Sequence, residues 1–465
     1  MTRPRHVESA DSILRPGAAP NAPSLPAEVW TRVANDPRVS AEFAAIARGG
    51  GRAGRADAGD FPMKRARLRQ IAALAAAVLG LAGCATIPTE YREPAALAAE
   101  ARTTLNLRVY DRAWELVNEK YFDREFLGVD WVAMRGKYRT EAQAAPDDAG
   151  LYRVLQKLCA ELPQSHLSPL APRDVHEMSS DHQAAVGLRW AQIEGQFVVT
   201  DVLPDGAAAI AGVQVGWVGR SRDGRPINPQ ERRISRLGQP VTFEFLDQQD
   251  RLVTMTLEPR LLDFDRQVAR ELPGGFRYLR FDSFSFANLR WLSAELKAHR
   301  AAPGVVVDLR QNLGGMVAAN SMAVQEFFDR REPVPMGRFV RRDGKVRESI
   351  GFALLSARYA GRVAVLIGPG SASASEIFAH VMKNEKRATV IGRRTAGAVI
   401  VSRFYGLPGG GRLQIPIQDY IGVDGERLEG RGVEPDVAVP AATLADWRAG
   451  RDPELETALA VLAEL

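Results

Sequence analysis

Two apolar runs that each end on a glycine turn set the limits on what this chain folds into. Gly304-Val305-Val306-Val307-Asp308-Leu309-Arg310 runs into Asn312-Leu313-Gly314-Gly315, and Arg362 to Ile367 runs into Gly368-Pro369-Gly370. An uninterrupted apolar strand is buried on both faces, which is the habit of a parallel sheet. A helical pattern follows the second turn, from Ser375 towards Lys383, and a third apolar run, Ala388 to Ile391, comes next. This alternation predicts an α/β core over residues 263–465, built on a mainly parallel sheet, with functional groups gathered where strands end in those turns.

Upstream the texture changes twice. Leu105, Leu107, Val109, Tyr110, Ala113, Trp114 and Val117 recur at helical spacing, and a second helical stretch, Leu151 to Leu162, closes at Pro163. Residues 101–180 therefore read as a helical entry segment. Residues 184–262 instead carry strand patterns at Gln196–Val202, Val241–Leu246 and Leu252–Leu257. This stretch resembles a PDZ domain of the type inserted in bacterial proteases. The resemblance implies that Gly187, Leu188, Arg189 and Trp190 form a turn whose backbone N–H groups receive a C-terminal carboxylate, beside a strand edge that pairs with the peptide.

The whole-chain charge of +5 does not mark a nucleic-acid partner. Residues 1–83 hold 12 Lys+Arg and 7 Asp+Glu; subtracting these from 61 and 56 leaves 49 of each, so residues 84–465 are formally neutral. The basic excess sits in a segment laid out like a secretory signal. Lys64-Arg65-Ala66-Arg67-Leu68-Arg69 precedes an apolar run, Ile71 to Leu81, too short to span a bilayer. Leu81-Ala82-Gly83-Cys84 resembles a bacterial lipobox, which implies cleavage before Cys84, lipidation of its thiol and a lipid-anchored place at the bacterial cell envelope, on the periplasmic face of the outer membrane. Met63 is then the expected start, 1–62 a mis-called or disordered extension, and 84–100 a tether. The other cysteine, Cys159, lies in a helical pattern, so no disulfide or metal framework is expected.

Three serines, Ser371, Ser373 and Ser375, stand where the second strand gives way to a helix. There a hydroxyl projects from a tight turn, and free N–H groups of the helix start can stabilise an oxyanion. Helix capping is the alternative use of the same residues. The surrounding run, Ser371-Ala372-Ser373-Ala374-Ser375-Glu376-Ile377-Phe378-Ala379, closely resembles the active-site segment of the C-terminal processing peptidases, the tail-specific and tricorn-core serine proteases of family S41. Asp308-Leu309-Arg310-Gln311-Asn312-Leu313-Gly314-Gly315 and Glu429-Gly430-Arg431-Gly432-Val433-Glu434-Pro435-Asp436 resemble two further signatures of that family. The resemblance covers nearly everything from about residue 105 onward. It implies an α/β fold with a crotonase/ClpP-like catalytic core, an N-terminal helical segment and an inserted PDZ domain. It also implies a nucleophile at Ser373 and oxyanion donors at the Gly315 and Ala374 amides.

The base is where the chain departs from the lysine-dependent branch of that family. The run that carries the lysine there reads Thr395-Ala396-Gly397-Ala398 here, with Ser402 at the position of a glutamine. Lys383 and Lys386 fall on or beyond the helix after Ser373, where solvent-facing duty is expected. The tricorn-type branch uses Ser, His, Ser and Glu, and its motifs match Ser165-His166 ahead of the PDZ-like stretch and Glu429. The expected base is thus His166, neutral near pH 7 and able to take the Ser373 proton. Of the other histidines, His6 lies in the leader, His176 and His182 flank the PDZ-like stretch, His299 follows a helix and His380 lies two turns beyond Ser373. Asp308 and Arg310 read as an internal pair holding the glycine turn. No metal or nucleotide cofactor is expected, since no zinc-type histidine motif, cysteine cluster or phosphate loop is present. The expected partners are protein or peptide substrates, with a catalytically inactive peptide-binding lipoprotein as the alternative that the missing lysine raises.

Overall fold

The structure is a computed structural model that describes residues 91, 95–179, 183–227, 235–329, 332–353 and 357–464. These belong to one unit that begins at Thr86. Cys84, the signal-like segment, His6 and His182 lie outside the described residues.

A six-stranded sheet forms the centre, in the order Gln267–Leu272, Phe276–Phe281, Gly304–Asp308, Arg362–Ile367, Thr389–Gly392, Val437–Ala438. The first pair is antiparallel and every later neighbour parallel. Val305, Val306 and Val307 are all buried, as a strand covered on both faces requires. On one face Ala458 and Leu462 of the helix Pro453–Glu464 pack onto Val306, Ala364, Leu366 and Ile391. Each such fully buried Val, Leu or Ile contributes about 1.5–3 kcal/mol. The Gly304 strand stops at Asp308 because that carboxylate accepts the Arg310 amide at 2.9 Å, turning the chain.

A second sheet is organised by the long strand Arg412–Ile421. It pairs with Val401–Gly406 and Ser168–Leu170 in its first half and with Pro335–Arg341 in its second. The N-terminal helices Ala99–Lys120 and Asp148–Ala160 bury Tyr110, Trp114, Leu155 and the free Cys159 in a cluster that includes Leu407, Leu413 and Ile415 of this sheet. The second helix begins earlier than the apolar pattern indicates because Asp147 caps it, accepting the Gly150 amide at 2.7 Å. Ser165 and His166 fall in the short connection between that helix and the strand Ser168–Leu170.

The third part is a small antiparallel sheet, Leu188–Ile193, Gln196–Val202, Val218–Arg222, Val241–Leu246 and Leu252–Leu257. The chain enters and leaves it side by side, Gln183–Ala185 pairing with Arg260–Leu262. Its interior stacks Trp190, Phe243 and Phe245. Alternating burial along Val241–Leu246 accounts for how plainly its strand reads in the sequence.

Candidate active site

The three serines of the 371–375 turn have different surroundings. Ser371 is fully buried and donates to the Leu309 carbonyl at 2.8 Å. Ser375, also fully buried, donates to the main-chain and side-chain oxygens of Asn312, both at 2.7 Å. These two lace the serine turn to the glycine turn and hold both hydroxyls inside the protein. Ser373 is half-buried between them, with φ +57° and ψ −118°, a region a side-chain-bearing residue enters only when its surroundings impose it.

Those surroundings are specific. The Ser373 amide donates to the Ala398 carbonyl at 2.8 Å and to Glu376 Oε2 at 3.0 Å. From the other side, a Cβ on Gly314 would stand 2.6 Å from Ser373 Cβ and 2.9 Å from the Ala374 nitrogen. Only glycine permits this approach, and Gly314 also has φ +101°. Among the described residues the Gly315 and Ala374 amides donate to no protein acceptor. Two free N–H groups therefore flank the Ser373 turn, one of them at a helix N-terminus.

Glu429 is brought to the adjacent Ser165 and His166 from 264 residues beyond Ser165. Ser165 Oγ lies 2.7 Å from His166 Nδ1, and the Ser165 amide donates to Glu429 Oε1 at 2.9 Å. Glu429 is buried, and its Oε2 accepts the Val399 and Ile400 amides at 2.7 and 3.1 Å. Arg427 braces the same loop, bonding Asp419 at 2.7 Å and the side chain of Gln164 at 3.2 Å. Burial pushes the His166 imidazole below its ordinary value, against the pull of the Glu429 charge, so the ring is neutral at neutral pH. Among the described residues no hydrogen bond joins His166 to Ser373 directly. Both are tied instead to one extended segment: Ser373 to the Ala398 carbonyl, and the His166 loop, through Glu429, to the next two amides.

The remaining polar candidates are engaged elsewhere. Lys383 donates to the Glu434 carbonyl at 2.7 Å and pairs with Asp436. His380 is buried 3.3 Å from Asp424, and Ser402 accepts from Gln414. Asp308 and Arg310 pair at 2.6 Å, with Tyr278, Asp452 and Glu454 completing the cluster. In the small sheet, Gly187 sits at a bend with φ +87°, and Leu188 is buried and paired with Val202. Arg189 bonds Asp282 at 2.6 Å and Gln311 at 3.1 Å, which ties the small sheet to the central one. Trp190 stacks on Phe245 in the module's interior. Arg189 and Trp190 thus have structural duties that the peptide-turn reading does not include.

Sequence reasoning missed Glu376. Its position three residues after Ser373 resembles an ordinary helix-capping acid. It is fully buried, and its carboxylate accepts the Thr395 hydroxyl at 2.5 Å and the amides of Gly397, Ala398 and Ser373 at 2.7, 2.8 and 3.0 Å. Burial raises its carboxyl above the ordinary value, and these four donors pull the other way.

Residues 276–439 match the family described as "Peptidase family S41", and residues 107–160 match "Tricorn protease C1 domain". Residues 276–439 are an S41 peptidase domain. Relatives of the chain include a tricorn protease homologue of Streptomyces coelicolor, 25% identical over 77% of the chain. The chain spans about a third of that relative's length, 32%. The chloroplastic carboxyl-terminal-processing peptidase 1 of Arabidopsis thaliana is 24% identical, with 72% of each protein covered. Among solved structures, the photosystem II D1 C-terminal processing protease matches with a TM-score of 0.53 at 22% identity, covering 77% of this chain and 97% of that one. Mature CPAF, in a complex with lactacystin, matches at 0.56 and 13%, covering 78% and 98%. These likenesses show a fold shared with those two structures over most of the described residues, and the family match and the processing-peptidase relatives support a serine-type peptidase.

Proposed function

We propose that the protein is an envelope-anchored serine protease that cleaves peptide bonds through an acyl-enzyme on Ser373, with His166 as general base. The observation that carries this reading is the attachment of both Ser373 and the Ser165–His166–Glu429 group to successive residues of the segment 398–400. Attack of Ser373 Oγ on the scissile carbonyl forms a tetrahedral oxyanion facing the Gly315 and Ala374 amides. These donors are fixed by the fold and need no reorganisation as charge develops. His166 takes the hydroxyl proton at Nε2 and returns it to the leaving amine; water then releases the acyl group by the same route. For Nε2 to be the free nitrogen, Nδ1 carries the proton and donates it to Ser165 Oγ. Glu429 holds the Ser165 backbone in place and lends negative potential to the imidazolium.

This base belongs to the tricorn-type branch, since Ala398 occupies the position of the lysine in the other branch. We assign the small β-module as a PDZ domain around Gly187 that receives substrate C-termini, and Cys84 as the lipid-bearing residue.

Reaction of the purified protein with a fluorophosphonate probe tests the centre of the proposal. Labelling lost in Ser373→Ala and strongly weakened in His166→Ala supports it; folded wild type that takes no label leaves the inactive peptide-binding alternative. Incorporation of radiolabelled palmitate into the wild type but not into Cys84→Ala tests the anchor.

A further inference from the structure

Four consecutive backbone amides in the centre of the site are divided between two buried carboxylates. Gly397 and Ala398 donate to Glu376, and Val399 and Ile400 donate to Glu429. Each carboxylate reaches from there to one half of the proposed machinery: Glu376 accepts the Ser373 amide, and Glu429 accepts the Ser165 amide beside His166. The two halves are also cross-tied. Thr395 donates its hydroxyl to Glu376 and accepts the Val433 amide at 2.7 Å, and the Gly430 amide donates to the Gly397 carbonyl at 2.8 Å. The segment 395–400 is thus a spacer, gripped at one end by the nucleophile's carboxylate and at the other by the carboxylate of the histidine loop.

We infer that Glu376, seconded by Thr395, is a positioning residue that sets the reach from Ser373 to His166. The inference rests on the reading of Ser373 as nucleophile. Nothing in ordinary helix capping requires a fully buried carboxylate with four donors drawn from Ser373 and residues 395–398. The Ser373 backbone, at φ +57°, is held on one side by the Gly314 contact and on the other by Ala398 and Glu376. Four donors converging on one buried carboxyl fix its position and theirs, so Glu376 is suited to hold a conformation that a serine does not adopt by itself. Neither Glu376 nor Thr395 touches the reacting atoms in this account; both act through the Ser373 and Ala398 backbones.

The test compares Glu376→Gln, Thr395→Val and Thr395→Ser with the wild type. It uses the full-length protein, the rate and affinity constants of fluorophosphonate labelling, and thermal melting. Glu376→Gln keeps the shape but turns an NH2 towards backbone donors. Thr395→Val deletes the hydroxyl, and Thr395→Ser restores it. A displacement of the nucleophile by a fraction of an ångström to an ångström is expected to lower the maximal labelling rate by about 100-fold. Probe affinity stays within about threefold, and Thr395→Ser recovers most of what Thr395→Val loses. If Glu376→Gln does not fold, Thr395→Val against Thr395→Ser decides the matter alone. Variants that fold and label within threefold of wild type overturn the positioning role while leaving Ser373 as nucleophile. A loss that follows melting temperature, with no recovery in Thr395→Ser, reduces Glu376 to a folding residue and also overturns it. Folded wild type without labelling removes the nucleophile and this inference with it.

Discussion

Ser165 Oγ sits 2.7 Å from Nδ1 of His166, on a loop whose own amide is held by Glu429. The contact fixes the ring's orientation and can accept the Nδ1 proton, leaving Nε2 to face a substrate. Ser165→Ala is therefore expected to slow acylation by about tenfold, and His166→Ala by about 10²–10⁴, the usual worth of a general base. Single-turnover acylation of a peptide ester measures both. Equal losses in the two variants, or none in His166→Ala, would contradict the assignment of the base.

The direction of the His166 shift fixes the pH dependence. Burial lowers its pKa from 6.5, with the Glu429 charge opposing. In the proposed mechanism the neutral ring is the base, so the labelling rate is expected to be level at neutral pH and to fall as pH drops through a value below 6.5. Stability follows the same sign. The fold disfavours the protonated ring, so this group's contribution is present above the unfolded value and lost as pH falls. Rates measured from pH 8 to 4.5 check the limb; a midpoint clearly above 6.5 is incompatible with this ring as the base.

Much of this was legible because its signals are local. The runs Val305–Val307 and Arg362–Ile367 announce buried parallel strands, and Val241–Leu246 alternates as a strand with one buried face does. The glycine turn and serine turn each follow a strand, and the two strands pair in parallel, which puts both turns at the same end of the sheet. What stayed hidden depends on contacts across long separations. Nothing around Glu376 in sequence shows that its carboxylate collects Thr395, Gly397 and Ala398, 19 to 22 residues on. Ser165 meets Glu429 across 264 residues, and only a family resemblance pointed there. Arg189 and Trp190 were read from a turn motif, but their long side chains reach Asp282 and Phe245, which a local pattern does not encode.

Arg310 is expected to be a stability residue with little part in chemistry. Burial alone lifts the Asp308 carboxyl, yet the charge and hydrogen bonds of Arg310 outweigh it and hold the carboxyl below the ordinary range. Arg310→Ala leaves buried Asp308 with Tyr278 but no cation, and Glu454 with Arg393 alone, and should cost about 3–5 kcal/mol in urea unfolding. Arg310→Lys should recover only part, since an ammonium cannot reproduce the forked contacts to Asp308 and Asp452. A loss under about 1 kcal/mol in the alanine variant would mean the pair is not holding this turn.

The close packing of Gly314 against Ser373 gives the sharpest steric prediction. A methyl group on Gly314 would stand 2.6 Å from Ser373 Cβ and 2.8 Å from the Ala372 carbonyl oxygen, where the neighbouring atoms are backbone or short side chain and cannot swing away. Gly314 also has φ +101°, so alanine brings strain before any contact is counted. Gly314→Ala is expected to move the Ser373 turn and lower fluorophosphonate labelling by about 100-fold or more. Gly406→Ala is the matched control, since a methyl group there meets nothing within 4 Å and no positive φ is involved. It should label at the wild-type rate. The comparison separates displacement of Ser373 from a general effect of adding a methyl group. Equal labelling in the two variants would show that the glycine turn does not set the position of Ser373.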